Sequence, residues 1–139
     1  MTHDKNDILK ACNAICKNTL METLEIEFVD VSSNELVARM PVNPRVHQPN
    51  GVLHGGASVA LAESVGSASA FVFSGSNDIS VRGIEIAANH VKSIKEGFVY
   101  ARSSPLHMGR TIQLWQIRIT NEDDELISMV KLTTLILDR

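Results

Sequence analysis

Residues 54–73 read HGGASVALAESVGSASAFVF, and this stretch decides which fold the chain can adopt. It contains a single formally charged residue, Glu63, and its apolar residues fall on every side of a helix rather than on one face. Such a pattern is typical of a helix that other structure encloses. A membrane-spanning helix is disfavoured, because the serines and glycines dilute the hydrophobicity and a carboxylate at mid-length is costly in lipid. We therefore expect a buried helix over about residues 55–73 of a soluble protein.

The segments on both sides of this helix predict a β-sheet. Upstream, apolar residues at helical spacing indicate an N-terminal helix over about residues 4–20. Two alternating segments, 24–29 and 36–42, flank the turn residues 32–34 and predict a hairpin. The segment 43–53 is rich in Pro and Gly, which excludes a continuous helix or strand. Downstream, four further strands are predicted, at about residues 84–92, 99–103, 111–120 and 126–137.

The order of these elements predicts an α+β fold. An antiparallel sheet that wraps around one long central helix, with an N-terminal helix outside it, satisfies the order. In the segment 111–120, the apolar residues change parity after Leu114, which predicts either a β-bulge or burial on both faces. In the segment 84–92, one face of the strand is expected to carry Ile84, Ile86, Ala88, His90 and Lys92.

Length and composition set the class of protein. The chain has 139 residues, so we expect a single domain over residues 1–139. The residues are 44% hydrophobic and 21% charged, as in ordinary globular proteins and unlike disordered ones. A net charge of −3 without any block of Lys or Arg argues against nucleic acid as a partner. Residues 1–10 are charged and lack the apolar core of a signal peptide, so we expect the protein in the cytosol.

Two pairs of residues are candidate metal or redox sites. Cys12 and Cys16 are the only cysteines, and they lie four residues apart in the expected N-terminal helix. We interpret them as a reduced, buried pair, with a redox or metal site as the alternative. A metal site built on His47 and His54 lacks a convincing third ligand, so we expect no metal.

Glu63 is the anomaly of the central helix. A carboxylate with no other charge near it in sequence either faces a cavity or has a distant partner, because burying an unpaired charge costs free energy. The structural alternative is a Glu paired with an Arg or His elsewhere in the chain. Ser67 follows one helical turn later on the same face, where its hydroxyl could hold a water or substrate atom beside Glu63. Taken singly, Ser67 is a small packing residue.

His54, Gly55 and Gly56 open the helix. The first turn of a helix leaves N–H groups free and carries a partial positive charge, so it favours an oxyanion. Glycine there lets a ligand approach the backbone closely. A capping role for His54 and a tight turn at the glycines are the structural alternatives. Combined with Glu63, and with Gln48 as a candidate donor in the preceding loop, the helix start suits acyl transfer or hydrolysis.

These residues together resemble a known family. The segment 47–56, HQPNGVLHGG, followed by Glu63 and Ser67, resembles the hot-dog-fold acyl-CoA thioesterases. The branch is the PaaI-like, Arthrobacter-type 4-hydroxybenzoyl-CoA thioesterases, which include the 1,4-dihydroxy-2-naphthoyl-CoA hydrolases of menaquinone biosynthesis. The resemblance covers nearly the whole chain, since residues 88–90 and 107–110 also match family positions. It implies the hot-dog fold, an antiparallel sheet wrapped around a long central helix.

The resemblance also implies a role for each motif residue. Glu63 matches the catalytic carboxylate, acting as nucleophile or as base for water, and Gly55 matches the backbone donor that polarises the thioester carbonyl. Gln48 and His54 match residues that orient the thioester, and Ser67 matches the one that positions water. In the family, Glu63 of one subunit would face Gly55 of another. The resemblance therefore implies a homodimer, and such dimers commonly pair into tetramers.

The coenzyme A end is implied less sharply. The matching positions near the pantetheine or the nucleotide phosphates are Arg82, Gly83, His90, Lys92, His107, Gly109 and Arg110. Arg and Lys suit phosphate recognition. The structural alternative is that Lys92 and Arg110 are solvated charges at strand ends. No cofactor is implied, since the coenzyme A thioester is the substrate.

We therefore expect a cytosolic, homo-oligomeric acyl-CoA thioesterase that releases the free acid and coenzyme A. An aromatic acyl group is expected from the branch and from the small residues Ala60, Gly66 and Ala70 near Glu63. Two alternatives stay open. A hot-dog enoyl-CoA hydratase would need an Asp and His pair beside the helix. A non-catalytic acyl-CoA sensor would have no need of Glu63.

Overall fold

Six antiparallel strands form one sheet that wraps around a long central helix in the computed structural model, which describes residues 4–139. The helices are α1 (Lys5–Ala14), α2 (Leu20–Thr23) and α3 (Gly55–Ser74), with a 3-10 turn at Pro44–Val46. The strands are β1 (Glu27–Val31), β2 (Leu36–Val42), β3 (Ile79–His90), β4 (Gly97–Met108), β5 (Ile112–Thr120) and β6 (Leu126–Asp138), in the spatial order β1-β2-β4-β5-β6-β3. This is the arrangement that the hot-dog resemblance implies. The expectation that the chain has no signal peptide rests partly on residues 1–3, which lie outside the described residues.

The central helix forms where its sequence predicts it. It begins at the capping residue His54 and ends at Gly75, whose φ of 72° is the left-handed conformation that terminates helices. The side facing the sheet is fully buried at Leu61 and Val65. Gly66 also lies on that side, because a Cβ there would come within 2.5 Å of Leu132 Cδ2. The missing side chain thus lets helix and sheet approach closely.

One side of α3 stays uncovered within a single chain. By length and mean hydropathy, 1.3 over its most apolar 18 residues, α3 could cross a membrane, yet strands β2 to β6 all pack against it. That packing makes α3 the core helix of the fold. Only 39% of the same 18 residues is buried, however, and the partly exposed side includes Glu63 and Ser67.

The N-terminal helix is shorter than predicted. Instead of one helix over residues 4–20, α1 ends at Ala14 and a separate turn, α2, begins after Thr19. After the C-cap of α1 at Ile15, Asn18 with a φ of 63° changes the direction of the chain. The Thr19 hydroxyl then accepts a hydrogen bond from the Met21 N–H and so starts the new turn. The two helices therefore meet at a left-handed residue that is not glycine.

The first strand begins later than predicted. Leu24, the expected start, caps the C-terminal end of α2, and Glu25 with a φ of 56° redirects the chain into β1. The β1–β2 hairpin is confirmed. The Asn13 side chain ties α1 to this hairpin, since it accepts from the Phe28 N–H at 2.7 Å and donates to the Phe28 carbonyl at 3.0 Å.

Strand β5 is expected to contain a bulge after Leu114 or to be buried on both faces, and its ladder with β6 has no bulge at Leu114. The β5–β6 ladder is continuous from Ile112 to Ile119 and shifts only between Ile119 and Thr120. The inward positions begin with the buried polar residue Gln113, so the neighbouring apolar residues Ile112 and Leu114 face outward. The apparent change of parity arises because both faces of the strand carry apolar side chains.

Strand β3 forms one edge of the sheet, within residues 4–139, and contains a bulge of its own. Its register with β6 shifts between Gly83 and Glu85. The expected face is therefore interrupted: Ile86 packs against the core, whereas Ile84 is 53% exposed. Because of this shift, Gly83 and Ile86 both face α3.

Candidate active site

His54 and Gly55 build a polar helix start. His54 caps α3, and its Nδ1 accepts a hydrogen bond of 2.7 Å from the Gly56 N–H. The capping alternative for His54 is thus realised. A neutral imidazole that accepts through Nδ1 carries its proton on Nε2, which leaves a donor for a ligand. Gly55, the first helical residue, has an N–H without an intrahelical acceptor.

His90 packs against the same helix start. A Cβ on Gly55 would lie 2.7 Å from His90 Nε2, so the imidazole occupies the space beside the glycine. A hydrogen bond of 2.7 Å between Nδ1 and the hydroxyl of fully buried Ser128 fixes the ring. Ser128 is a site residue that the sequence analysis missed. The antiparallel register of β3 and β6 places Ser128 opposite His90. This pairing is long-range, so no local sequence pattern predicts it.

A cavity of about 340 Å³ opens at this helix start. Its lining includes Gln48, Gly55, Ser58, His90 and Lys92. The side-chain Oε1 of Gln48 accepts a hydrogen bond from the Asn50 N–H, which holds the loop in a turn. Lys92 forms an exposed ion pair with Glu125. The structure therefore brings four of the predicted site residues and His54, their neighbour, to one place.

Glu63 lies elsewhere on α3, against strand β3. It is partly buried, and its Oε2 occupies the space where a Cβ on Gly83 would stand. Within residues 4–139, no hydrogen bond or ion pair involves its carboxylate, so the alternative of a structural Glu paired with an Arg or His finds no support there. Ser67 is one turn further along the same partly exposed side. A carboxylate placed in this way is available to a ligand.

The two halves of the predicted site are separated within one chain. Gly55 and Glu63 are eight residues apart on one helix, which is about 12 Å along the axis at 1.5 Å per residue. A carbonyl oxygen bound by the Gly55 N–H would therefore be out of reach of the same chain's Glu63.

The remaining predicted residues fall into the same two groups. Gly83 on β3 lies opposite Thr134 on β6, which lies opposite Gln113 on β5. Gln113 in turn lies opposite Met108, the last residue of β4. The β4–β5 turn is therefore at the Gly83 end of the sheet. Gly109 and Arg110 lie in that turn, and His107 lies near the end of β4 that leads into it. The sheet thus holds one group around Glu63 and another around Gly55 and His90.

Two of the residues expected near coenzyme A, Arg82 and Gly109, have contacts within the fold. The Arg82 side chain is exposed and donates to the carbonyl of Val81 at 3.1 Å. The Gly109 N–H donates to the Ile112 carbonyl at 3.1 Å, and a Cβ on Gly109 would collide with that same oxygen. Gly109 is therefore required by the β4–β5 turn, whatever ligand lies beside it.

The small residues expected to leave room near Glu63 do not all lie on its side of α3. Gly66 and Ala70 are buried and belong to the side of α3 that packs on the sheet, so they do not border the space around the carboxylate. Ala60 is only partly buried. A second, more apolar cavity of about 600 Å³ lies between α1 and the C-terminal end of α3. Its wall includes Phe71, which is 40% exposed and follows Ser67 by one turn.

No metal or redox centre emerges from the described part of the chain. Among residues 4–139, no group of three or more His, Cys, Asp or Glu side chains could hold a metal ion. His47 Nε2 donates to the Lys95 carbonyl at 2.8 Å. Cys12 and Cys16 are free and buried, and burial, aided by the neighbouring Cys16, raises the pKa of the Cys12 thiol to about 11. A protonated, buried thiol is a poor nucleophile and metal ligand.

Sequence comparison identifies relatives of known description. The sequence profile of the thioesterase superfamily matches residues 50–128. The 1,4-dihydroxy-2-naphthoyl-CoA hydrolase of Escherichia coli is 44% identical over 129 residues, 93% of this chain and 94% of the relative. The proofreading thioesterase EntH of Cronobacter turicensis is 40% identical over 129 residues, 93% of either chain.

Solved structures agree over the entire fold. A thioesterase from Haemophilus influenzae superposes with a TM-score of 0.91 at 38% identity and covers 99% of this chain and 93% of its own. A glutamine-to-alanine variant of a thioesterase from Pseudomonas aeruginosa superposes with a TM-score of 0.92 at 36% identity, over 100% of this chain and 97% of its own.

Proposed function

The chain belongs to the thioesterase superfamily and is a thioester hydrolase, and from this premise we propose that it cleaves an aromatic acyl-CoA to the free acid and coenzyme A. The single observation that carries the proposal is the Glu63 carboxylate, which has no partner within residues 4–139 on a helix side that the fold leaves partly open. A binding protein gains nothing from such a group, whereas thioester hydrolysis needs it.

The proposed reaction divides the work between a donor and a carboxylate. The Gly55 N–H, at the positive end of the α3 dipole, binds the thioester oxygen as negative charge develops on it. Gln48 and the Nε2–H of His54 orient the thioester. In one route Glu63 attacks the carbonyl carbon, the C–S bond breaks to release the thiolate of coenzyme A, and water then hydrolyses the mixed anhydride to the free acid and the Glu63 carboxylate. In the other route Glu63 removes a proton from a water that Ser67 holds, the water oxygen attacks the carbonyl carbon, and the C–S bond breaks. The departing thiolate then takes up a proton, and coenzyme A leaves as the thiol.

We propose that two copies of the chain share each site. Two observations support this proposal: the distance of about 12 Å along α3 between Gly55 and Glu63, and the side of α3 that a single chain leaves uncovered. Edge strand β3, twelve residues long, offers unpaired backbone groups. Antiparallel pairing of β3 with its own copy would run the Gly83 end of one strand beside the His90 end of the other. Each Glu63 would then approach the partner's helix start.

A pairing of dimers into tetramers is proposed from the outer face of the sheet. Ile112 and Leu137, 38% and 41% exposed, lie there with Leu114 and Leu135 in adjoining strands. An apolar patch of this kind is a natural contact between copies.

The aromatic acyl group is proposed from the relatives and the second cavity. The relative from Escherichia coli is a 1,4-dihydroxy-2-naphthoyl-CoA hydrolase, which favours a role in menaquinone biosynthesis. The row Glu63, Ser67 and Phe71, spaced one turn apart, leads from the carboxylate to the apolar cavity between α1 and α3. An aryl ring attached to a carbonyl near Glu63 would lie along this row. The cationic residues Lys92 and Arg110 would bind the phosphates of coenzyme A. The proposed reaction needs no cofactor and takes place in the cytosol.

The test is thiol release from a panel of acyl-CoA thioesters. We expect kcat/KM for benzoyl-CoA and 2-naphthoyl-CoA to exceed that for acetyl-CoA and butyryl-CoA by at least about tenfold, or about 1.4 kcal/mol of transition-state stabilisation. Faster turnover of the aliphatic thioesters would contradict the aromatic assignment and leave the thioesterase intact. Binding of every acyl-CoA without release of thiol would point to a sensor instead.

A further inference from the structure

Gly83 lies where the Glu63 carboxylate needs room. A Cβ built on Gly83 would overlap Glu63 Oε2 and stand 3.3 Å from Glu63 Cδ, while the next neighbour, Leu132 Cδ1, is at an ordinary 3.4 Å. We propose that Gly83 is the positioning residue for Glu63: its missing side chain leaves the space in which the carboxylate rests. This role differs from the coenzyme A contact that the family resemblance implies for Gly83.

The backbone gives no other reason for glycine at this position. Among the described residues, the glycines with positive φ are Gly51, Gly75 and Gly97, so Gly83 has a conformation open to other residues. Glycine inside a strand costs stability, because it gives the unfolded chain more backbone entropy and has no side chain to pack. The bulge that follows Gly83 also admits other residues when φ is negative. The close approach of the carboxylate remains as the physical reason.

The geometry also predicts which group would move if residue 83 carried a methyl group. Residue 83 is held in the ladder opposite Thr134, and the strand continues with ladder pairs on both sides of the bulge. The Glu63 carboxylate, by contrast, is the far end of a flexible side chain without a partner in residues 4–139. A methyl group on residue 83 would therefore rotate Glu63 away and leave the strand in place. The fold would lose little, and the reaction would lose its carboxylate.

The experiment is a double-mutant cycle between residues 63 and 83, and it rests on the proposed function. Wild type, Gly83→Ala, Glu63→Asp and the double variant are compared by kcat and KM on the best acyl-CoA of the panel and by thermal unfolding. We expect Gly83→Ala to lower kcat about 10²-fold, the cost of misplacing a reacting group by about 1 Å, with KM changed less than about threefold. In the Glu63→Asp background, where the shorter side chain leaves room for the methyl group, the same substitution should lower kcat less than about threefold.

Matched controls separate the outcomes. Ala87→Val adds bulk to the opposite, exposed face of β3 and should leave kcat within about twofold. The inference is overturned if Gly83→Ala lowers kcat equally in both backgrounds, if it raises KM at unchanged kcat as a coenzyme A contact would, or if it abolishes the unfolding transition. Failure of the proposed function is distinct: the wild type would then release no thiol from any thioester.

Discussion

Replacement of Glu63 by glutamine is expected to lower kcat by at least about 10³-fold, or about 4 kcal/mol, with KM little changed. The amide has nearly the shape of the carboxylate, but it neither attacks a carbonyl carbon nor accepts a proton from water. The structure gives the carboxylate no hydrogen-bond or ion-pair partner within residues 4–139, so the substitution breaks no such contact there. The unfolding temperature should therefore stay the same or rise. Thiol release and thermal unfolding measure the two quantities.

The matched control for this variant is Glu85→Gln. Glu85 is an exposed carboxylate on β3, two residues from Gly83, and its substitution changes the charge of the chain by the same amount. We expect its kcat within about twofold of wild type. Turnover at the wild-type rate in a folded Glu63→Gln variant would remove Glu63 from the mechanism.

Gly55→Ala is expected to lower kcat by about 10²- to 10³-fold, the loss typical of one oxyanion donor. The added methyl group would stand 2.7 Å from His90 Nε2 and 2.9 Å from Cδ2. The ring cannot easily turn aside, because Ser128 holds its Nδ1. The start of α3 must then move and carry the Gly55 N–H with it, at a cost in stability of about 1–3 kcal/mol.

A second substitution tests this steric explanation. In Gly55→Ala combined with His90→Ala, the methyl group has space, and kcat should recover by at least about tenfold over the single variant. KM is expected to rise if His90 also contacts the substrate. A kcat that stays at the level of the single variant would show that His90 is not what requires glycine at position 55.

The central helix could be predicted from sequence because its signals are local. A histidine cap, two glycines, an apolar body and a terminal Gly75 all lie within one stretch of chain. The break between α1 and α2 and the late start of β1 could not be predicted in the same way. The break depends on Asn18 and the late start on Glu25, each in a left-handed conformation that Asn tolerates and Glu seldom adopts. Tertiary contacts, rather than local preference, decide these two positions.

The site residues also differ in whether local sequence signals or tertiary contacts determine them. His54, Gly55 and Glu63 were recognisable because they share one helix and its entrance. The contacts of Gly55 with His90 and of Glu63 with Gly83 join α3 to β3, and the hold of Ser128 on His90 depends on the β3–β6 register. A sequence does not display such register. It also does not tell which glycine makes room for a carboxylate and which, like Gly66, makes room for the core.

The most direct test of a site shared between two copies is a mixed dimer of two inactive chains. Chains with Glu63→Gln and chains with Gly55→Ala are co-expressed with different tags, and native mass spectrometry counts the mixed dimers. In each mixed dimer, one of two sites would combine an intact Glu63 with an intact Gly55. Random mixing should therefore restore about a quarter of wild-type thiol release, from parents that are each almost inactive. Release no greater than the parents' average, with mixed dimers present, would contradict the shared site.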